Sequence, residues 1–151
     1  MTELRIAISG DAGAVAEAYL ASRKQFLPYA PLAHSDKEVR CWIRDELVPT
    51  RCVFVAVAAG VVQGMMALSK DEKYGWIDQL YLRPEFVGRG IGGLLLEHAR
   101  AELSPPIRLY TFQQNLAARP FYERHGFRPV SFTDGRGNEE RCPDVLYEWI
   151  A

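Results

Sequence analysis

The run Val87-Gly88-Arg89-Gly90-Ile91-Gly92-Gly93 sets four glycines within six residues, between an apolar stretch that stops at Leu82 and an amphipathic one that opens near Gly90. Glycine lets backbone N–H groups turn into one concavity with no Cβ in the way. A helix starting there adds unpaired donors and about half a positive charge. Together these make a seat for phosphate or pyrophosphate, to which Arg89 can add a charge-assisted contact. The plainer alternative is a loose loop that lets a helix lie close on a sheet. Gly88, Gly90 and Gly93 also satisfy G-x-G-x-x-G. The dinucleotide fingerprint, however, follows its strand directly, opens the first βαβ unit and is answered by an acid about twenty residues on. Here residues 83–87 intervene, three strands come first, and Gln113 and Gln114 stand near the place of the acid. A GxxxxGK run followed by Ser or Thr is absent, so a P-loop nucleotidase is excluded.

Such a cradle needs a sheet behind it and a helix in front. Periodicity and punctuation place strands over 4–8, Cys52–Ala58, 61–68, 74–82, 107–112, 127–132 and 145–149. Helices fall over about 11–26, with Asp11 as N-cap, over about 34–47, over about 90–103 and over 117–125, stopped by Gly126. Ala59-Gly60 signals a hairpin, while Pro28, Pro31, Pro49, Pro84 and Pro105-Pro106 end segments. The sum is one α/β (α+β) domain over residues 1–151, with a central, mostly antiparallel mixed sheet of about seven strands flanked by about four helices.

Composition narrows the class. A chain of 151 residues with 48% hydrophobic and 25% charged residues suits one globular core. Its net charge of -1 and lack of long like-charged blocks give no basis for a nucleic-acid face. No apolar run approaches the ~20 residues of a membrane span, and no signal-peptide core opens the chain. Cys41, Cys52 and Cys142 are odd in number and lack CxxC spacing. They read as reduced, packed thiols of a cytoplasmic protein without a metal site.

Two ordered motifs then carry a resemblance. Leu80-Tyr81-Leu82-Arg83-Pro84-Glu85-Phe86-Val87-Gly88-Arg89-Gly90-Ile91-Gly92-Gly93-Leu94-Leu95 resembles the acetyl-CoA motif of the GNAT N-acetyltransferase superfamily. In that motif a hydrophobic strand and a proline turn lead to Arg or Gln, two residues, Gly, one residue, then Gly or Ala opening a helix. Val87 departs from it by standing where the family has Arg or Gln. Downstream, Asn115 through Ala118 and Phe121-Tyr122-Glu123-Arg124-His125-Gly126-Phe127 resemble the family's second segment, with Asn115 seven residues before Tyr122.

The resemblance implies an N-acetyltransferase with acetyl-CoA as cofactor, coenzyme A as product, and a small-molecule or peptide amine as acceptor. It also admits a homodimer. It implies that the backbone of Leu80, Tyr81 and Leu82 pairs with the pantetheine arm like an added strand. The Leu80 N–H would stabilise charge developing on the thioester oxygen. The stretch from Val87 to Gly93 would hold the pyrophosphate, Asn115 would touch the pantetheine region, and Tyr122 would protonate the leaving thiolate. A packed core aromatic is the plainer reading of Tyr122.

The base is open. Some members carry a glutamate where Trp76 stands; Asp78 lies two residues on and could act through a water, although a structural or solvated carboxylate is the commoner case. His34 is a lone loop histidine. Glu139, Glu140 and Asp144 could draw in a cationic amine or simply be a solvated face. The rival functions are a non-catalytic acyl-CoA-binding or sensing module and, more remotely, a nicotinamide enzyme.

Overall fold

The computed structural model describes residues 1–151. Its strands are β1 (Glu3–Ile6), β2 (Cys52–Ala58), β3 (Val61–Lys70), β4 (Gly75–Leu82), β5 (Ile107–Phe112), β6 (Arg128–Phe132) and β7 (Asp144–Trp149). They form one sheet in the order β1-β2-β3-β4-β5-β7-β6. Every neighbouring pair is antiparallel except β4 and β5. This is the mixed, mostly antiparallel seven-stranded sheet that the sequence implies.

The helices are α1 (Ala12–Phe26), α2 (Asp36–Trp42), the single turn α3 (Val48–Thr50), α4 (Ile91–Glu102) and α5 (Ala118–Arg124). A wider π-type turn over Ile43–Leu47 joins α2 to α3, so the stretch expected as one helix runs on through Thr50. Ser35 starts α2 with a capping box: its hydroxyl accepts from the Glu38 amide (3.2 Å), and Glu38 accepts from the Ser35 amide (2.9 Å). Asp11 stands at the N-cap of α1 without capping it. Its carboxylate accepts instead from the Ile8 amide (2.8 Å) and grips Arg5 at 2.7 and 3.0 Å. That tight turn ends β1 at Ile6, two residues short of the expectation.

Alternation along the strands splits the apolar residues between two cores. On one face α1 and the Ile43–Leu47 turn bury Val15, Ile43, Val55 and Met65. On the other, α4 and α5 bury Leu95, Leu96, Phe127 and Tyr147. A Cβ on Gly92 would stand 2.9 Å from the Phe121 ring, so glycine is what lets α4 and α5 lie this close.

The feature that shapes the site lies mid-sheet. β4 and β5 pair only at Gly75↔Ile107 and Trp76↔Arg108, then part. On its other edge β4 stays joined to β3, with a bulge that leaves Asp78 unopposed between Ile77↔Leu68 and Gln79↔Ala67. The extra residue resets the alternation. Leu80 and Leu82 therefore share the α4 side with Ile77, and Tyr81 turns to the α1 side.

Two glycine substitutions in helices should act in opposite directions. Gly92→Val should lower the urea midpoint by an amount worth about 1–3 kcal/mol, because it drives Cβ into the Phe121 ring. Gly13→Ala has open space around its Cβ and should gain up to about 1 kcal/mol from helix propensity. A Gly92 variant as stable as wild type would show that α5 can yield freely.

Candidate active site

The glycine run behaves as a cradle in its backbone. Gly88 and Gly90 hold φ of 83° and 85°, and no atom lies within 4 Å of where a Cβ would stand on either. Leu94 is the first residue of α4 to donate back, to the Gly90 carbonyl (3.2 Å). Ahead of it, the amides of Gly88, Arg89, Gly90, Ile91, Gly92 and Gly93 have no backbone acceptor. Val87 differs, since its amide turns inward to the Pro84 carbonyl (3.3 Å). Arg89 is exposed, with its guanidinium 5.4 Å from the Phe86 ring centre.

The parting of β4 and β5 opens an inner sheet edge. The Arg83 amide donates to Gln63 on β3 (2.9 Å). Alternate residues of an antiparallel strand face opposite neighbours, so Leu82 and Leu80 turn their N–H and C=O groups into the gap. A narrow cavity of about 110 Å³ fills that gap, walled in part by Leu80, Asn115 and Tyr122. The Asn115 Oδ1 accepts from the Ala118 amide (3.1 Å) and so helps start α5, while its Nδ2 is left to donate. Tyr122 is 8% exposed, with its ring among Phe121, Phe127 and Tyr147. Burial pushes its phenol above the ordinary value. Core packing and cavity lining thus coincide in one side chain.

Beside this lies an open cleft of about 940 Å³, walled by the segment before α2 and by the β6–β7 loop. Asp78, Gln79, Tyr81, Tyr110, Thr111 and Phe112 line both spaces, and so mark where they join. Asp78 is exposed, yet partial desolvation by the surrounding cleft walls pushes its carboxyl up, while the Ser69 hydroxyl and the Arg51 charge pull it down. Trp76 donates to Asp71 (2.9 Å) and stacks on Tyr110 at 6.0 Å between ring centres.

The three acids near the C-terminus are not equivalent. Glu140 is ion-paired with Arg23 (2.9 Å). Asp144 accepts from the Thr133 hydroxyl and from the Asn138 amide (3.2 Å). Only Glu139 reaches out, toward the His34 Nε2 at 3.4 Å. His98 packs on Phe54, and His125 bonds the Phe121 carbonyl (2.8 Å). Two cleft residues, Arg23 and Tyr110, had no sequence signal. An arginine inside a helix and a tyrosine in a strand look ordinary until the fold faces them on a cavity.

The profile described as acetyltransferase (GNAT) family matches residues 18–127. The chain belongs to that family. A curated relative, the peptidyl-lysine N-acetyltransferase YjaB of Salmonella typhimurium, is 31% identical over 86 residues, 56% of each chain. The match thus spans about half the length of that relative. Among solved structures, apo YjaB of Escherichia coli superimposes with a TM-score of 0.80 at 20% identity, over 100% of this chain and 99% of that one. The PaiA N-acetyltransferase of Thermoplasma acidophilum, in complex with coenzyme A, gives 0.79 at 22% over the same shares. At these identities the likeness is one of fold. No helix of the chain is long and apolar enough to cross a membrane.

The buried phenol makes a stability test. A phenol whose folded pKa exceeds its unfolded value contributes stability that is complete below about 10 and lost as pH rises through the folded value. The urea midpoint of wild type should therefore fall further than that of Tyr122→Phe as pH goes from about 8 to about 11, whichever is the more stable at the start. Parallel curves would mean that Tyr122 titrates as a solvated phenol.

Proposed function

We propose that the protein is an acetyl-CoA-dependent N-acetyltransferase that moves an acetyl group to a primary amine by direct attack on the thioester. The observation that carries this reading is the meeting of two cavities beside an unpaired strand edge, with a glycine cradle beyond the end of β4. The residues present fit the cofactor. Amides from Gly88 to Gly93 would hold its pyrophosphate, at positions where a side chain on Gly88 or Gly90 would fill the space. Leu80 and Leu82 would pair with its pantetheine arm, and the Asn115 Nδ2 would donate to that arm. Acetyl-CoA supplies an acyl group activated as a thioester.

The rest belongs to this chain. The Leu80 N–H, aimed into the gap, stabilises charge on the thioester oxygen. Tyr122 delivers its proton to the departing sulfur. Its raised pKa keeps that proton in place until the charge develops. Asp78, at the junction, takes the proton of the incoming amine directly or through a water, and its raised pKa makes it the stronger base. A lysine side chain of a peptide is the acceptor that draws most support. The Salmonella relative carries that activity in its name, and the cleft is open, with Asp78, Glu38 and Glu139 on its walls. The three unpaired cysteines accord with the cytoplasm.

Thiol release from acetyl-CoA across a panel of amines tests the reading. Tyr122→Phe keeps the ring and should lower kcat by about 10²–10⁴-fold with acetyl-CoA affinity little changed. Near wild-type turnover would hand the proton transfer to water or another group. Gly90→Val should weaken coenzyme A binding in calorimetry more than it weakens folding, because it both fills the cradle and disfavours the positive φ. Unchanged affinity in a folded variant would move the pyrophosphate elsewhere.

A further inference from the structure

Arg23 sits at the back of the wide cleft with only 5% of its side chain exposed. Its guanidinium is shared among three partners from separate parts of the chain. Nη2 donates to the Ala30 carbonyl (3.1 Å) and to Glu140 Oε2 (2.9 Å), and Nη1 donates to the Tyr81 hydroxyl (3.3 Å). The rings of Tyr19 and Phe112 flank it, with centres at 5.9 and 5.6 Å. One planar group thus ties α1 to the segment before α2, to β4 and to the β6–β7 loop.

We propose that Arg23 is a positioning residue for acetyl transfer: by holding Glu140 and Tyr81 on one rigid fork, it sets how far the acceptor-side loop stands from the reactive edge of β4. This rests on the wide cleft being the acceptor site. Tyr81 lies between Leu80 and Leu82, whose N–H groups face the gap, so its hydroxyl is the handle by which the cleft wall and the strand edge are kept in register. Arginine suits the task because its donors are fixed in one plane, whereas a lysine ammonium satisfies such partners singly.

Loss of Arg23 would leave the Glu140 carboxylate, 16% exposed, without its counter-charge. A buried carboxylate in that state is costly. Glu140 lies on the tip of a loop whose two ends are tied to the end of β5, Gln113 donating from its amide to the Pro143 carbonyl (2.9 Å) and from Nε2 to the Thr133 carbonyl (2.8 Å). The tip itself is held by short-range bonds, from Asn138 to Gly135, from Arg141 to Asn138 and between Asn138 and Cys142. The tip that carries Glu140 can therefore shift toward water while both ends of the loop stay on the sheet. The damage falls on the acceptor wall and spares the glycine cradle.

The test uses Arg23→Met, Arg23→Lys, Glu140→Gln and the double variant Arg23→Met/Glu140→Met. Arg23→Met should cut kcat/KM for a lysyl peptide by about 10²-fold, the scale of a misplacement near 1 Å, and leave coenzyme A affinity in calorimetry unchanged. Arg23→Lys and Glu140→Gln should each lose less. The double variant should regain Tm, since apolar pairs replace buried ion pairs at little cost. It should not regain acceptor kinetics, because Tyr81 and Ala30 still lack their donor. If kinetics return along with Tm, Arg23 is a stability element and the proposal falls. Amide exchange gives an answer independent of turnover: residues 138–142 should exchange faster in Arg23→Met, or in Glu140→Gln should that protein not fold, with Gly88–Gly93 unaffected. Unchanged exchange at that loop overturns the proposal even if no amine is acetylated, while silence across the amine panel with faster exchange counts against the transferase reading alone.

Discussion

Everything at the site depends on β4 and β5 parting after two residue pairs. A sheet edge inside a protein is ordinarily a liability, since each backbone N–H and C=O shut away from a partner costs about as much as a lost hydrogen bond. Here β4 is held to β3 along its length and β5 to β7 along its own, so neither strand needs the other for its place in the sheet. Cores on both faces brace the two halves. The unpaired edge is thus stable as structure and open to an extended ligand that could add to it as a strand does.

The bulge at Asp78 makes that edge usable. In an unbroken alternation Ile77, Gln79 and Tyr81 would share one face. The added residue sends Ile77, Leu80 and Leu82 to the α4 core and Tyr81 to the α1 side. Side chains of the leucines are thereby anchored in the core while their amides face the gap. The close contact of α4 with α5 at Gly92 and Phe121 does the same for Tyr122: it presses the ring into the core, with the residue lining the narrow cavity. Packing fixes each chemical group through the part of the residue that does no chemistry.

Local signals in the sequence foretold local things. Four glycines before an amphipathic run gave the cradle and the start of α4, and Asn115 with the FYERHGF run located α5 and its cavity-lining tyrosine. The strands were legible from alternation to within two residues, and the seven-stranded mixed sheet followed. What was hidden is set by partners far along the chain. The bulge exists only relative to β3, and the parting of β4 and β5 only relative to β7. Glu139, Glu140 and Asp144 look alike in sequence, yet Arg23, 117 positions away, claims one, and Thr133 with Asn138 claims another. Asp11 sits at a helix start as its type suggests, but Arg5 and the Ile8 amide take its oxygens.

These two kinds of information fall on opposite sides of the reaction centre. On the function proposed above, the cofactor side would be made of backbone: glycine amides, strand N–H groups and a helix start, which recognise what any peptide unit can recognise. The acceptor side would be made of side chains delivered by the segment before α2 and by the β6–β7 loop, two irregular stretches bound together by Arg23 and Glu140. Backbone sites tolerate few sequences, because only glycine leaves the room and takes the torsion angles, so the cofactor reading is the part most open to sequence. A side-chain wall on two loops can change its charge and shape while the sheet below it stays as it is. The acceptor is accordingly the property that sequence motifs specify least, and in the proposed transferase it would be set by how Arg23 and Glu140 hold those two stretches together.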